Sequence, residues 1–438
     1  MKSVGKFNVG DKIKVIFSKE SYEGIMLESP IDEQDVLLLK LDSGYNIGFN
    51  RKDVIKIELV KKQEIKEEKG VEKIKKDNEK PNVAMIITGG TISSQLDVKT
   101  GAVKWLTSPG KLLEFYPEIF KHVNVSRVEI PFMKASENMS YKDWKKIAKI
   151  AETLLNDSNI SGLIITHGTD FLGYTGAALS FFLKNLNKPV VLTYSQRSSD
   201  RGSSDARLNL ECAAIAAASD IAEVMLVGHA TTNDDYCYAM PGTKVRKMHS
   251  SRRDAFKTVN AKPFVKIFND GRIEKISNYN VVKQGMKKVL VDDKFEEKIG
   301  IIKFYPGQDV DILDYYLKNK YKGIIIEVSG LGHLPIGESG NSWLSKLKEV
   351  QKKGIVICAV AQTIFGRLNP KVYSAGRELE KTGIIFLEDM LSETALVKLG
   401  WVLGHSEWCK NKEMIKKKML ENVSREISNR IEYEEEFI

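Results

Sequence analysis

The sequence predicts an α/β protein whose parallel-sheet core is preceded by a small all-β module. Two observations lead to this fold class. Before residue 60 the chain shows five short strand-like runs, and after residue 81 β-branched runs alternate with helical stretches. At 438 residues the chain is too long for one compact core, so we expect two or three domains.

Residues 1–60 predict a small β-barrel module. The five strand-like runs are "DKIKVIF", "YEGIMLES", "DVLLLKLD", "YNIGFN" and "VIKIELV". Turn residues separate them, and five short strands over this length are typical of an SH3-like barrel. Barrels of this kind usually bind or brace a partner. The next segment, 61–80, is dominated by charged residues with little to bury, which indicates a linker.

From residue 81 the alternation of strands and helices predicts a doubly wound parallel sheet with ligand groups at the carboxyl ends of its strands. The predicted strands are "VAMIITGG", "GLIITHG", "PVVLTYS", "AEVMLVGHA", "GIIIEVSG" and "GIVICAV", and the predicted helices are Tyr141–Leu155, Thr175–Leu186 and Ala206–Ser219. We divide this part into one lobe (81–275), an irregular connector (276–297) and a second lobe (298–438). The last residues, 409–438, predict a charged helix with an acidic end.

The net charge and the cysteine content bear on the kind of partner and on the cellular compartment. The net charge of +9 permits an anionic partner such as RNA, but the lysines are spread along the chain, as on a solvated surface. The four cysteines show neither CxxC pairing nor metal-ligand spacing, which indicates thiols in a reducing compartment. We expect a cytoplasmic protein, because the start has no signal-peptide core and no apolar run reaches membrane-spanning length.

Two turns that contain hydroxyl side chains follow predicted strands. The first, Thr88-Gly89-Gly90-Thr91, matches neither GxxxxGK[ST] nor GxGxxG, so its spacing excludes both phosphate loops. By itself it is also consistent with a structural turn. The second places Thr169 and Asp170 after "GLIITHG", where Asp170 could instead cap the following helix. Both turns should face one crevice.

A third segment, "PGTKVRKMHSSRRDAF" (241–256), is dense in cations and hydroxyl groups. A solvated or RNA-facing loop is the alternative interpretation. However, threonine is a poor nucleophile until a base takes its proton. A partly desolvated lysine beside an aspartate could be that base, and Lys247 with Asp170 would suit Thr169.

"TGGTI", "THGTD" and "VRKMHSSRRDAF" resemble the bacterial-type L-asparaginases and glutaminases, from about Val83 to the C-terminal region. The resemblance implies an asparaginase-like two-lobed fold. It assigns Thr91 as the nucleophile, with Thr169 as the alternative. Thr169 and Lys247 would transfer protons, and Asp170 would support them and hold the substrate's α-ammonium group. Gly90 and Gly168 belong to the glycine-rich turns that would supply N–H donors to an oxyanion.

"KASENMSYKDW" (134–144) matches the family segment that binds the substrate's α-carboxylate and α-ammonium groups, with Ser136 and Glu137 at the matching positions. Glu137 could instead be an acidic charge at a helix N-terminus. One departure is Val98, which stands where family members carry a lid tyrosine. Sites in this family lie between subunits, and "VSGLGHLPIG" (328–337) is our candidate for completing the neighbour's site.

The β module, the linker and "QRSSDRGSSDARLNL" (196–210) together resemble the D subunits of archaeal two-subunit glutamyl-tRNA(Gln) amidotransferases over nearly the whole chain. This implies a glutaminase with neither a metal nor a cofactor of its own. It also implies an E-type partner that uses ATP and Mg²⁺ and carries most of the tRNA contact, in a heterotetramer around a homodimer. The alternatives are a free-standing L-asparaginase/glutaminase, and a non-catalytic protein whose β module binds RNA.

Overall fold

The structure of the chain is a computed structural model, which describes residues 7–27, 29, 35–42, 46–62, 77–96, 103–105, 116–198, 204–283, 287–337 and 342–431. Most of the predicted linker lies outside the described residues. The same holds for Val98, which was predicted to replace the lid tyrosine, and for the acidic end at 432–438.

The N-terminal module is one antiparallel sheet with the strand order β4-β3-β2-β1-β5, as predicted for a small all-β unit. Side chains alternate between a buried and a more exposed face along β1 and the first four residues of β3, and Ile13, Val15, Leu37 and Leu39 form the buried centre. Its strands are β1 (Lys12–Ile16), β2 (Ser21–Met26), β3 (Val36–Leu41), β4 (Asn46–Asn50) and β5 (Lys56–Lys61).

The first lobe is built on an eight-stranded sheet with the order β18-β17-β14-β13-β12-β10-β6-β9. Its strands are β6 (Asn82–Ile87), β9 (Asn124–Glu129), β10 (Gly162–Thr166), β12 (Val190–Thr193), β13 (Val224–His229), β14 (Cys237–Pro241), β17 (Val265–Ile267) and β18 (Ile273–Lys275). Two-stranded sheets pair β7 (Ser94–Leu96) with β8 (Val103–Trp105), β15 (Val245–Lys247) with β16 (Phe256–Thr258), and β11 (Leu183–Lys184) with β19 (Leu290–Val291).

The predicted parallel core is confirmed by five adjacent strands of this sheet, and three further strands, which were not predicted from the sequence, extend it in antiparallel pairs. Strands β13, β12, β10, β6 and β9 run parallel, whereas β14, β17 and β18 continue the sheet in antiparallel pairs. The reason lies in the connection, because residues 230–236 between β13 and β14 are too few for the crossover that a parallel neighbour needs.

The second lobe has four parallel strands in the order β20-β21-β22-β23, as predicted for an α/β lobe. They are β20 (Ile299–Lys303), β21 (Gly323–Val328), β22 (Val356–Ala361) and β23 (Ile385–Phe386). The helices of the two lobes are α1 (Tyr141–Leu155), α2 (Leu172–Phe182), α3 (Ala206–Ala217), α4 (Ile312–Lys318), α5 (Trp343–Lys352), α6 (Ser374–Glu380), α7 (Ser392–Leu403) and α8 (Lys412–Leu420).

Two helix predictions need correction. The helix predicted at 175–186 begins earlier and ends at Phe182, because Leu183 and Lys184 leave it to pair with β19. The long charged helix predicted for 409–438 is only α8. After it the chain forms an irregular segment, residues 421–428, which we call the C-terminal strap. Its Glu426 carboxylate accepts hydrogen bonds from the N–H groups of Val423 and Ser424, so the segment turns back on itself.

One hydrophobic cluster spans both lobes, and each lobe also has a separate cluster of its own. Helix α2 of the first lobe packs against α7 of the second, and the rings of Phe181 and Trp401 stack with centroids 5.6 Å apart. Helix α2 starts at the carboxyl end of β10, so this packing fixes the loop that leads into it. The lobe contact therefore braces the strand ends where the sequence places its hydroxyl groups.

Candidate active site

The two hydroxyl-bearing turns start from neighbouring strands. Strands β6 and β10 pair in parallel with Ile87 opposite Thr166. The next residue, Thr88, donates from its N–H (3.2 Å) and its Oγ1 (2.7 Å) to the carbonyl oxygen of Thr166. The turns therefore begin at the same level of the sheet.

Glycine is required where the turns meet. Gly89 and Gly90 have φ angles of 120° and 83°, in the left-handed region that other residues rarely adopt. A Cβ atom on Gly90 would lie 2.5 Å from the backbone nitrogen of Gly168. The backbones are thus in direct contact, and Gly90 and Gly168 are each followed by a threonine, Thr91 or Thr169. The backbone N–H groups of Gly90 and Gly168 lie at the meeting point of the two turns.

Lys247 joins the second turn from the end of β15. Its Nζ lies 2.8 Å from Thr169 Oγ1 and 2.8 Å from Asp170 Oδ1. The Lys247 side chain is 15% exposed, against 60% for that of Asp170, so the lysine approaches from the protein interior. The capping alternative for Asp170 is not what the structure shows, because the N-cap position of α2 belongs to Phe171.

The 134–144 segment packs against the same turns. The N–H of Lys134 donates to Thr88 O at 2.9 Å, and the buried Ser136 accepts a hydrogen bond at its Oγ from the N–H of Phe171 (3.4 Å). A Cβ on Gly168 would lie 3.0 Å from Ser136 Oγ. Ser136 is therefore part of the wall that the two turns share.

Glu137 is the next residue and is exposed, in a 3-10 turn that ends before α1 begins. The acidic residue in the first turn of α1 is Asp143, which accepts a hydrogen bond from the N–H of Ser140 at 2.8 Å. Helix α1 thus has its own N-terminal acid, and Glu137 is left for another role. Thr91 itself is half-buried and starts a 3-10 turn, Thr91–Ser93.

Sequence reasoning missed His167, the buried ring behind this turn. Its Nδ1 is 2.7 Å from the carbonyl oxygen of Gly168, and its Nε2 is 2.8 Å from Thr175 Oγ1. Burial lowers the pKa of His167 from 6.5 to about 4, so the ring is neutral at pH 7. Nδ1–H then donates to the carbonyl, and Nε2 accepts the Thr175 hydroxyl. "THGTD" shows the histidine, but the Thr175 contact comes from the helix that follows.

The second lobe contacts the strand that carries Lys247, a feature that the motifs did not indicate. Arg246, beside Lys247, forms an ion pair with Glu393 of α7 (Nε to Oε1, 3.1 Å). Burial, with the nearby Glu393 carboxylate, raises the pKa of Tyr174 to about 12, so its phenol stays protonated. Lys247 is therefore held on a strand that both lobes support.

Other site types are not indicated in the described part of the chain. None of its groups of His, Cys, Asp and Glu side chains is arranged to hold a metal ion. All four cysteines are free thiols. Among the helices with described residues, none combines the length and the apolar character needed to span a bilayer.

Three family models match the chain, and they follow one another along it. Residues 7–60 match the GatD N-terminal domain, 82–280 the N-terminal asparaginase model, and 298–419 the glutaminase/asparaginase C-terminal domain.

Relatives named as the D subunit of glutamyl-tRNA(Gln) amidotransferase match over nearly the full length. The chain is 44% identical to that of Pyrococcus abyssi, covering 96% of this chain and 95% of the relative. It is 45% identical to that of Thermococcus kodakarensis, covering 96% and 94%, and 40% identical to that of Methanothermobacter thermautotrophicus, covering 97% and 94%. The chain belongs to the family of glutamyl-tRNA(Gln) amidotransferase D subunits.

Solved L-asparaginases share the core of this D-subunit chain. The thermostable enzyme from Thermococcus kodakarensis aligns with a TM-score of 0.69 and 26% identity, covering 80% of this chain and 100% of the other. L-asparaginase I from Vibrio cholerae aligns with a TM-score of 0.67 and 27% identity, covering 80% and 99%. The asparaginase-like fold class is confirmed. Because the asparaginases leave a fifth of the chain unmatched, the free-standing asparaginase alternative fits the chain less well than the amidotransferase family.

Proposed function

We propose that the chain is the glutaminase subunit of a tRNA-dependent amidotransferase, which hydrolyses glutamine to glutamate and ammonia. The proposal is supported by the full-length similarity to amidotransferase D subunits and by one observation of geometry. Lys247 Nζ lies 2.8 Å from both Thr169 Oγ1 and Asp170 Oδ1, beside the glycine contact that precedes Thr91. A lysine, a carboxylate and two threonine hydroxyls suit amide hydrolysis.

In this proposal Thr91 is the nucleophile. Its hydroxyl oxygen attacks the side-chain amide carbon and loses its proton to a base, and N–H groups of the glycine turns stabilise the oxyanion. The C–N bond then breaks, the departing nitrogen takes a proton, and an ester on Thr91 remains. Water hydrolyses this ester to glutamate and regenerates the hydroxyl group. Thr169 is the alternative nucleophile, since Lys247 contacts its hydroxyl directly.

Thr169 and Lys247 carry the protons. Asp170 holds the lysine through the 2.8 Å ion pair and keeps its Nζ aimed at Thr169. Neutral His167 fixes the carbonyl of Gly168, so the turn is held in one conformation. This preorganisation matters because donors aimed at developing charge contribute most when they do not have to move.

The rest of the site binds the free amino acid. A zwitterion needs an acceptor for its ammonium group and donors for its carboxylate. The exposed carboxylates of Glu137 and Asp170 serve the ammonium, and Ser136 with the nearby backbone serves the carboxylate. The segment 328–337 of a second copy completes the site in a homodimer.

Ammonia is consumed by a partner. Free ammonia is protonated in water near neutral pH and is then no longer a nucleophile, so its release must be coupled to its use. An E-type subunit binds the tRNA, activates the misacylated glutamyl group with ATP and Mg²⁺, and receives the ammonia, in a heterotetramer and in the cytoplasm. This chain needs no metal or cofactor of its own.

The test measures glutamate release from glutamine by the chain alone, and with an archaeal E-type partner, ATP, Mg²⁺ and glutamyl-tRNA(Gln). We expect weak turnover alone and at least tenfold more in the complete system. Thr91→Ala should abolish turnover and tRNA amidation from glutamine, but amidation from added ammonia should survive. The matched control, Thr153→Ala on the exposed face of α1, should change neither rate.

Two results would contradict the proposal. Glutamine-dependent amidation that is unchanged in Thr91→Ala removes this residue as the nucleophile, and Thr169→Ala then tests the alternative. Asparagine turnover that is fast in the lone chain and indifferent to partner and tRNA would instead indicate a free-standing asparaginase.

A further inference from the structure

A cleft of about 430 Å³ lies between the C-terminal strap and the first lobe. Its walls include the end of α2, the residue Val224 at the start of β13, and Gly242 just after β14. Thr169 follows the carboxyl end of β10. Because β13 runs parallel to β10, the amino end of β13 lies on the opposite side of the sheet, where the strands begin. A ligand in this cleft is therefore not the substrate of the candidate active site.

The charges around the cleft leave an excess positive charge. Three charged side chains line it: Lys184, Glu223 and Arg425. Glu223 Oε1 pairs with the Nε of Arg425 at 2.9 Å, and no described residue accepts a hydrogen bond from the outer guanidinium nitrogens of the arginine. The other polar groups in the wall are neutral amides and hydroxyls, among them those of Asn185, Asn422 and Ser424.

Among the described residues, no carboxylate lies close enough to the Lys184 Nζ to form an ion pair with it. Its Nζ lies 4.1 Å from the centre of the Trp401 ring, and burial lowers its pKa. The acids near it are engaged elsewhere: Asp292 with His405 (2.9 Å), Glu421 with Lys418 (2.7 Å) and Glu426 with Lys398 (2.6 Å). A half-buried ammonium group with acids nearby but no carboxylate in direct contact is incompletely compensated, so an anion bound beside it would stabilise this position.

The cleft is preformed rather than created by the ligand. Ser424 Oγ donates to Ser180 O, and Thr243 Oγ1 donates to Ser424 O, each at 2.7 Å, so the strap is tied directly to the first lobe. The strap also lies beyond residue 419, where the match to the asparaginase C-terminal model ends. The strap wall is therefore not part of the matched asparaginase core.

We propose that this cleft is a binding site for a small oxyanion, the carboxylate or phosphate group of a metabolite, held between Lys184 and Arg425. Lys184 belongs to the part of the lining formed by β11, and Arg425 to the part formed by the strap. The volume falls in the range of small-molecule sites, so the ligand is a metabolite rather than a macromolecule.

Isothermal titration calorimetry on the full chain tests the proposal with three probes: inorganic phosphate, glucose 6-phosphate and malonate. Sodium chloride at matched ionic strength is the control. We expect at least one probe to bind with a stoichiometry of one per chain, and the pattern distinguishes free phosphate, a phosphate ester and a carboxylate. Lys184→Gln and Arg425→Gln should each weaken binding about tenfold or more.

Asn422→Asp adds a negative charge to the exposed rim of the cleft without removing a cation, so it tests the site even if a cation variant fails to fold. It should also weaken binding. Lys318→Gln, an exposed lysine at the end of α4 that does not line the cleft, and Thr91→Ala should bind as the parent does. The proposal is overturned if no probe binds above the salt control, or if binding persists unchanged in the Asn422→Asp and cation variants.

Discussion

Lys247 and Asp170 lie 77 residues apart in the chain, and their side chains form an ion pair of 2.8 Å at the mouth of the first lobe. The same Nζ atom contacts the Thr169 hydroxyl, so this lysine binds both Thr169 and Asp170 in the turn that follows β10. The pair depends on two unrelated pieces of structure. Strand β10 positions the turn, and the short β15–β16 hairpin carries the lysine to it.

Lys247→Met should lower glutaminase kcat by about 10²–10⁴-fold, because the side chain keeps its length but can neither take nor give a proton. Lys247→Arg should restore the ion pair with Asp170 but only a small part of the rate, since guanidinium stays charged. Steady-state glutamate release in the complete system is the measurement. Lys275→Met, an exposed lysine on β18, is the control. Equal losses in Lys247→Met and Lys275→Met would remove Lys247 from the chemistry.

Gly90→Ala should destabilise the protein and separate the two turns. The φ of 83° is unfavourable for alanine, and the new Cβ would lie 2.5 Å from the backbone nitrogen of Gly168, so we expect a loss of at least about 2 kcal/mol. Urea unfolding with glutaminase assays measures both effects.

Gly271→Ala is the matched control, because its φ of 93° is equally unusual but nothing lies within 4 Å of the new Cβ. It should cost about 1 kcal/mol and leave activity intact. If the two variants lose stability and activity to the same extent, contact between the turns is not what Gly90 provides.

Stability should fall as the pH drops from about 6.5 towards about 4 because of His167. Its pKa is about 4 in the folded chain and near 6.5 when unfolded. Above pH 6.5 both states carry a neutral ring and the residue adds no pH dependence. Below it the unfolded state takes up a proton that the folded state refuses, so unfolding is favoured by up to about 3 kcal/mol at pH 4.

His167→Gln should flatten this slope, while exposed His249→Gln should not. Urea unfolding at several pH values between 4 and 7.5 makes the comparison. A slope that stays the same in His167→Gln would show that other groups produce the acid sensitivity.

The buried ion pair between Lys398 and Glu426 should govern how the strap is held. The two side chains are fully buried with Nζ and Oε1 2.6 Å apart. Lys398→Met leaves Glu426 charged and unpaired in the interior, which should cost about 3–5 kcal/mol. Chemical denaturation is the readout.

The double variant Lys398→Met/Glu426→Gln should regain part of this loss, because glutamine removes the charge. Its single amide oxygen can still accept one of the two hydrogen bonds that the N–H groups of Val423 and Ser424 donate to separate carboxylate oxygens. A double variant less stable than Lys398→Met would mean that the charge itself is not the cause. The exposed pair of Glu349 on α5 with Lys353, which directly follows this helix, is the control, and Lys353→Met should cost less than about 1 kcal/mol.

The sequence by itself determined the class of fold, because strand and helix periodicities are local properties. It also placed Thr91, Thr169 and Asp170 at strand ends, since buried runs stop where small and polar residues begin. It did not determine that β14 turns back antiparallel, or that the chain beyond α8 becomes a strap, because both depend on pairing with distant segments.

Only the tertiary structure decided how the side chains meet. The sequence predicted that Lys247 pairs with Asp170, but the 2.8 Å contact depends on where β15 lies beside α2, and local sequence contains no record of that packing. The buried state of His167, the ion pair of Arg246 with Glu393 and the cleft beside Lys184 have the same origin. Each is created by elements far apart in the chain, whose burial changes the cost of a charge and the choice of its partner.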